Sequence, residues 1–267
     1  MAALTYPQID PVIFAVGPFA VRWYGVAYVA GFIVAILIVA RLNRRWEVGL
    51  SEDDLFSMFI YGSLGLVIGA RVGYMLFYAL PALVSDPLSL FRVAEGGMSF
   101  HGGLAGILFA GYLLSRRISV PMLRLADLVA VGAPIGIFFG RVANFINGEL
   151  WGRVTEVPWG MVFPRAGPLP RHPSQLYEAL LEGVLLFAVM LVVARRRRPD
   201  GYVTGWLLVL YGIMRFLVEF VREPDAHLGA VLGPLSMGQL LTVPVFAAGA
   251  WLLWRARAAS GTGEKRA

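Results

Sequence analysis

Long apolar runs divided by short polar bursts dominate the chain. The runs are Trp23–Ala40, Leu55–Tyr78, Phe100–Ser115, Leu125–Gly140, Leu176–Ala194, Tyr202–Val221 and Met237–Trp254. A bilayer core needs about 20 mostly apolar residues per helix, and several of these runs meet that length. The pattern predicts an all-α integral membrane protein with about seven transmembrane helices. Trp23 and Tyr24 open the first run, where interfacial aromatic belts lie. Gly62, Gly65, Gly69 and Gly73 give the second run a small-residue spacing that allows close helix packing.

The segments between the runs set the orientation. Arg41, Arg44 and Arg45 follow the first run, Arg116-Arg117 the third, Arg195–Arg198 the fifth, and Arg255 and Arg257 the last. Cytoplasmic loops carry an excess of Lys and Arg, so the N-terminus is expected outside and the C-terminus in the cytoplasm. Residues 1–22, broken by proline and glycine, read as an interfacial lead-in, and Pro81–Met98 as a polar loop. Trp151–Ser174 holds five prolines among glycines and charges, so it is expected to be a small ordered domain outside the membrane. The orientation puts that domain, the preceding Gly140–Arg153 stretch and the loop from Arg222 to His227 on the outer side.

Composition agrees. Of 267 residues, 58% are hydrophobic and only 15% charged, with mean hydropathy +0.70. Soluble domains sit nearer half apolar and a quarter charged. The net charge of +6 does not point to nucleic acid, because the basic residues lie in bursts between apolar runs. Cysteine is absent, so the chain has no disulfide and no thiolate nucleophile of its own. The three histidines, His101, His172 and His227, lie in separate segments, and neither a metal site nor a cofactor is expected. A cleaved signal peptide is not expected either, since the first basic residue, Arg22, comes after Pro7, Pro11 and Pro18.

Candidate chemistry concentrates at Gly140–Arg153, GRVANFINGELWGR, where Arg141, Asn144, Asn147, Glu149 and Arg153 crowd the end of the fourth run. Arg141 and Asn144, three apart, share a helix face. Snorkelling to the interface accounts for an arginine there, but not for two asparagines and a glutamate in the next eight residues. Ionisable residues inside membrane segments are costly and usually functional. Tyr211, Arg215 and Glu219 fall at i, i+4 and i+8, with Arg222 on nearly the same face. Arg215 and Glu219 either neutralise one another or serve a site, and a second membrane arginine favours the site. His101, followed by Gly102, Gly103 and Gly106, is either a satisfied helix-start residue or a base with backbone room for a ligand beside it. Tyr24 reads as an interface aromatic and Arg71 as a polar tether, or both line a cavity. Glu178 and Glu182 share a face and read as packing or capping residues. In RHPSQLYE, residues 171–178, Ser174 reads as an N-cap and Tyr177 as an interfacial aromatic; His227 reads as exposed and uninvolved. On these residues alone an enzyme, a transporter for an anionic solute and a non-catalytic lipid-binding scaffold all stay open.

GRVANFINGELWGR resembles the signature of the prolipoprotein diacylglyceryl transferase family. DPVIFAVGP at 10–18, WYG at 23–25, DPLSLFRVAEGGMSFHGG at 86–103, RHPSQLYE, MRFLVEFVREPDA at 214–226 and SMGQL at 236–240 match it in order. The resemblance implies a single multi-pass domain, residues 1–267, of seven helices in the bacterial inner membrane. Residues 143–175 would be its short periplasmic head insertion, with the active site towards the periplasm. It implies transfer of an sn-1,2-diacylglyceryl group from phosphatidylglycerol, among the membrane lipids, to the lipobox cysteine of a prolipoprotein signal peptide. A thioether forms and glycerol phosphate leaves. On this reading Arg141 and Arg215 grip the lipid phosphate, and Arg141 and Asn144 belong to the lipid site that Asn147, Glu149 and Gly152 shape. Glu219 positions Arg215, Tyr211 completes that face, and Arg222 and Arg71 join the substrate-binding set. His101 is suited to take the thiol proton, with the departing phosphate, or Tyr24 as a relay, as alternatives.

Overall fold

A computed structural model describes residues 4–17, 19–93, 96–223, 230–232 and 235–264. Its first half contains β1 (Leu4–Thr5), β2 (Val12–Val16), β3 (Phe19–Arg22), α1 (Trp23–Trp46), α2 (Glu52–Phe77), α3 (Leu80–Ser85), α4 (Phe100–Arg117) and α5 (Met122–Ile146). Then come β4 (Met161–Val162), α6 (Ser174–Glu178), α7 (Leu186–Val193), α8 (Tyr202–Val218), β5 (Ala230–Leu232), β6 (Leu235–Ser236) and α9 (Met237–Glu264). A π-helical stretch, Ala179–Leu185, joins α6 to α7.

The protein is mostly helical, and five helices are long and apolar enough to cross a membrane: Trp23–Trp46, Glu52–Phe77, Met122–Ile146, Ser174–Val193 and Met237–Ala259. Two of the seven expected runs form shorter helices, 18 residues in α4 and 17 in α8. At 1.5 Å per residue these reach about 25–27 Å, short of a hydrocarbon core of about 30 Å. The expected loop 81–98 also contains α3 and a 3-10 turn, Pro87–Phe91, whose first N–H groups include that of Leu88, bound to the Asp86 carboxylate at 3.1 Å.

Residues Asn43–Ala126 form one compact unit. Ser51 starts α2 with a capping box: its hydroxyl accepts from the Asp54 N–H at 3.1 Å, and the Asp54 carboxylate accepts from the Ser51 N–H at 2.9 Å. Glu52, Asp53 and Asp54 in the first turn complement the helix dipole. The glycine stripe then does what its spacing predicts. A Cβ on Gly69 would lie 2.4 Å from the Gly102 carbonyl oxygen, and one on Gly106 would lie 2.0 Å from that of Gly65, so α2 and α4 meet backbone to backbone. Gly62 faces open space and is not part of that contact. The room beside His101 is therefore filled by α2 at Gly102 and Gly106, not left for a ligand.

Residues 1–42 and 127–267 form the other unit. Here Gly132 of α5 lies against Ala35 of α1, its Cβ position 3.1 Å from the Ala35 Cα. Gly249 of α9 meets the Gly205 carbonyl of α8 at 2.8 Å in the same way. The buried Asp127 carboxylate accepts from the Gly201 N–H (2.8 Å), the Thr204 N–H (2.7 Å) and the Thr204 hydroxyl (2.7 Å), which anchors the start of α8. The expected interfacial lead-in is partly built into the fold, because β1 pairs in parallel with β4. Tyr6 just beyond β1 is buried.

Candidate functional site

The site begins at the end of α5. The helix continues to Ile146, so Arg141 and Asn144 occupy its last two turns. Tyr6 closes that end by donating its hydroxyl to the carbonyls of Phe145 (2.6 Å) and Ile146 (2.8 Å). A tight turn follows, with Gly148 and Leu150 at φ 61° and 57°. Within it the Glu149 carboxylate accepts from Asn144 Nδ2 at 2.9 Å and Asn147 Nδ2 at 3.1 Å. The three side chains satisfy one another, which removes much of the cost of holding them beside apolar neighbours. Gln175 Nε2 donates to the Glu149 carbonyl at 2.6 Å and the Ser174 hydroxyl to that of Leu150 at 3.0 Å, so the turn is pinned to the start of α6. Ser174 spends its hydroxyl there, and Pro173 rather than Ser174 is the N-cap.

Gly152 shows why that position needs glycine. Its N–H donates to the His172 carbonyl at 2.8 Å, and it bridges to Arg222. An added Cβ would lie 2.5 Å from the Val221 carbonyl oxygen and 2.7 Å from the His172 Cβ. Next to it, Arg153 donates its N–H to Val221 and its Nε to the Arg222 carbonyl, at 2.9 and 3.0 Å. The turn after α5 is thus joined to the chain that follows α8. His172 itself meets the Tyr177 hydroxyl at 3.2 Å, and burial lowers the pKa of its imidazole below the ordinary value.

Around that frame six charged side chains gather from α5, the α6–π-helix junction, and α8 with the residues just beyond it. Glu178 and Glu182, four residues apart at the α6–π-helix junction, are both 0% exposed. Arg141 Nε lies 2.5 Å from Glu178 Oε2, Arg215 Nη1 lies 3.5 Å from the same oxygen, and Arg222 Nη1 lies 3.9 Å from Glu178 Oε1. Glu182 stands 4.0 Å from Arg141 and 3.8 Å from Arg215. The i,i+4 pair forms as its spacing predicts, with Arg215 Nη2 2.6 Å from Glu219 Oε2. Glu219 also accepts from the Ser236 hydroxyl at 3.1 Å, and Gly238 leaves space for its carboxylate, since a Cβ there would lie 2.3 Å from Glu219 Oε1. Gly183 packs on Phe138, its Cβ position 2.7 Å from the Phe138 Cβ, which brings the π-helical stretch against α5 one turn below Arg141. π-bulges are frequent at functional sites.

The structure therefore brings Arg141, Arg215, Glu219 and Arg222 together, with Asn144, Asn147, Glu149 and Gly152 forming the adjoining turn. Tyr211 lies half-buried one turn before Arg215. Tyr24, also half-buried, has its hydroxyl 3.3 Å from that of Tyr28. His101 and Arg71 belong to the unit of residues 43–126. His101 is exposed and edge-on to Phe100. Arg71 is buried and ties down the loop before α4 by donating to the carbonyls of Leu90 (3.0 Å), Ser89 (2.6 Å), Gly97 (3.1 Å) and Gly96. Four of its five N–H donors are thereby committed, as a tether requires. Residues 224–227, including His227, lie outside the described residues.

Glu178 and Glu182, which read from the chain as packing or capping residues, instead place their carboxylates at the centre of the arginine cluster. The signal was present: two carboxylates on one face of a strongly apolar run need partners, and the chain offers membrane arginines for them. Ser236 and Gly238 could not be read in the same way, because only the fold brings them to Glu219.

Three guanidiniums on α5 and around the end of α8 can grip an anionic phosphate, since the planar fork of arginine matches its oxygens. The family model described as prolipoprotein diacylglyceryl transferase matches residues 11–255. The chain is 52% identical over 246 residues to the phosphatidylglycerol–prolipoprotein diacylglyceryl transferase of Geobacter sulfurreducens, covering 92% of this chain and 95% of that one. It is 50% identical over 259 residues to the protein of the same name from Idiomarina loihiensis, covering 97% of each. With the so-named protein of Allorhizobium ampelinum it shares 46% identity over 273 aligned positions, covering 98% of this chain and 95% of that one. A match of this extent takes in both units and every charged residue of the cluster: the chain belongs to the prolipoprotein diacylglyceryl transferase family and is a transferase.

Proposed function

We propose that this protein transfers the sn-1,2-diacylglyceryl group of phosphatidylglycerol to the lipobox cysteine thiol of a prolipoprotein signal peptide, the first step of lipoprotein maturation. The names of its relatives give the two substrates. The observation that carries the reading is the convergence of Arg141 and Arg215, from two helices, on one carboxylate oxygen. Two guanidiniums meet one anionic oxygen there, which supports their holding a phosphate. In the reaction the thiol sulfur attacks the glyceryl carbon, the bond from that carbon to the phosphate oxygen breaks, and its electron pair leaves with the glycerol phosphate. A free thiol has a pKa near 8.5, so a base must take its proton, while fixed positive charge stabilises the leaving group.

In this reading Arg141 and Arg215 hold the phosphate, with Arg222 beside them. Asn144, Asn147, Glu149 and Gly152 shape the wall of the lipid site, and Glu219 and Tyr211 orient Arg215. Arg71 joins the substrate-binding set on the family resemblance. His101 takes the thiol proton, a role that rests on imidazole chemistry and on the family resemblance; Tyr24 is the alternative relay. The chain forms one multi-pass domain of seven crossings in the inner membrane, N-terminus outside and C-terminus in the cytoplasm. Residues 143–175 are its periplasmic head, and the site opens towards the periplasm. Crossings as short as α4 and α8 are accommodated by local thinning of the bilayer at modest cost. Arg141→Ala should abolish thioether formation on a lipobox peptide in phosphatidylglycerol micelles. Normal turnover by that variant would remove the central claim.

A further inference from the structure

The three arginines that would grip a phosphate already face three carboxylates. With all six side chains charged, Arg141, Arg215 and Arg222 balance Glu178, Glu182 and Glu219 to zero. Glu219 has one formed hydrogen bond, from the Ser236 hydroxyl to Oε1, and its Oε2 faces Arg215 as an ion pair. Glu178 and Glu182 have none among the described residues. Both are fully buried, and all four of their oxygens lack an aligned hydrogen-bond donor there although arginine nitrogens stand 2.5–4.0 Å away. Arg215 Nη1 is likewise buried without an aligned acceptor. Charge rather than direction holds these groups together, so the guanidinium can turn to an incoming anion without breaking a formed hydrogen bond.

The transfer reaction changes the charge of what sits there. A phosphodiester carries one negative charge. The glycerol phosphate that leaves is a phosphomonoester, whose second ionisation has a pKa of about 6, so it approaches two charges above neutrality. In a neutral, poorly hydrated cluster each added negative charge meets three carboxylates, and the second charge raises the cost steeply. We propose that Glu178 and Glu182 are built-in counter-anions that make the cluster favour a singly charged phosphodiester over a doubly charged phosphomonoester, and so drive off the leaving group. They act through the arginines as positioning and selectivity residues. This inference rests on the reaction proposed above.

The full-length protein in phosphatidylglycerol micelles, with a lipobox peptide at about pH 8, well above that second pKa, tests it by two constants: KM for the lipid and Ki for added glycerol phosphate. In Glu182→Gln, Ki should fall roughly tenfold while KM changes by less than about threefold. Glu182→Asp, which keeps the charge, should hold the wild-type ratio. An unchanged ratio in Glu182→Gln overturns the inference. Should that variant fail to fold, the wild-type protein decides. Dimethyl phosphate, singly charged, should inhibit at lower concentration than methyl phosphate, and the equal or opposite order overturns the inference. Wild-type protein that forms no thioether would overturn the transfer reaction and this inference with it. Normal wild-type turnover with an unchanged ratio overturns the inference alone.

Discussion

Arg215 divides its guanidinium between two tasks. Nη2 forms a close ion pair with Glu219 Oε2 at 2.6 Å, while Nη1 faces Glu178 and Glu182 at 3.5 and 3.8 Å. A lysine keeps the charge but cannot serve both directions from one ammonium group. Arg215→Lys should therefore lower kcat/KM by roughly thirtyfold, the equivalent of about 2 kcal/mol for one charge-assisted hydrogen bond. Full activity in a steady-state assay would mean that the fork is unnecessary. His101 is the complementary case, because its proposed role concerns a proton and not a charge clamp. His101→Asn should lose most turnover and flatten the pH–rate profile on its acidic side. Retained activity with an unchanged profile would exclude it as the base.

The helices meet through their glycines, and this has a direct consequence for stability. Gly106 of α4 leaves no space for a methyl group, its Cβ position being 2.0 Å from the Gly65 oxygen and 2.8 Å from the Gly69 Cα. Both obstacles are backbone and cannot rotate away. Gly106→Ala should destabilise the protein by about 1–3 kcal/mol, the usual cost of overpacking, and lower its melting temperature in detergent. Gly62→Ala and Gly111→Ala face open space and should leave the melting temperature unchanged. If Gly106→Ala melted like those two controls, the close contact between α2 and α4 would not be what holds that unit. The loop that precedes α4 is held largely by Arg71, which takes up carbonyls from Ser89 to Gly97.

For the molecule as a whole, orientation can be tested directly, because the chain has no native cysteine. Leu169 lies exposed in the segment between α5 and α6, and Arg196 lies exposed after α7. In intact cells whose outer membrane has been opened, a membrane-impermeant maleimide should label Leu169→Cys. Arg196→Cys should react only after the inner membrane is permeabilised. The reverse pattern would invert the topology, and the proposed meeting with an exported cysteine would fail with it.

The helical runs could be read from the chain because each reflects a local cause: apolar length for a crossing, four-residue spacing for the Arg215–Glu219 pair. The glycine spacing of α2 was legible for the same reason, although not which glycines make contact, since Gly62 shares the spacing and faces open space. Residues distant in sequence could not be matched to partners in this way. Nothing near Glu178 and Glu182 in the chain names the arginines that neutralise them, so a face shared by two glutamates read as packing. The room left by Gly102 and Gly106 went to α2 and not to a ligand, and the hydroxyl of Ser174 went to the Leu150 carbonyl and not to its own helix. Local pattern decides which segments become helices, because that free energy is gained within a few turns. Which charges meet is decided only by tertiary packing, because a buried carboxylate is tolerated only where the fold delivers a cation to it.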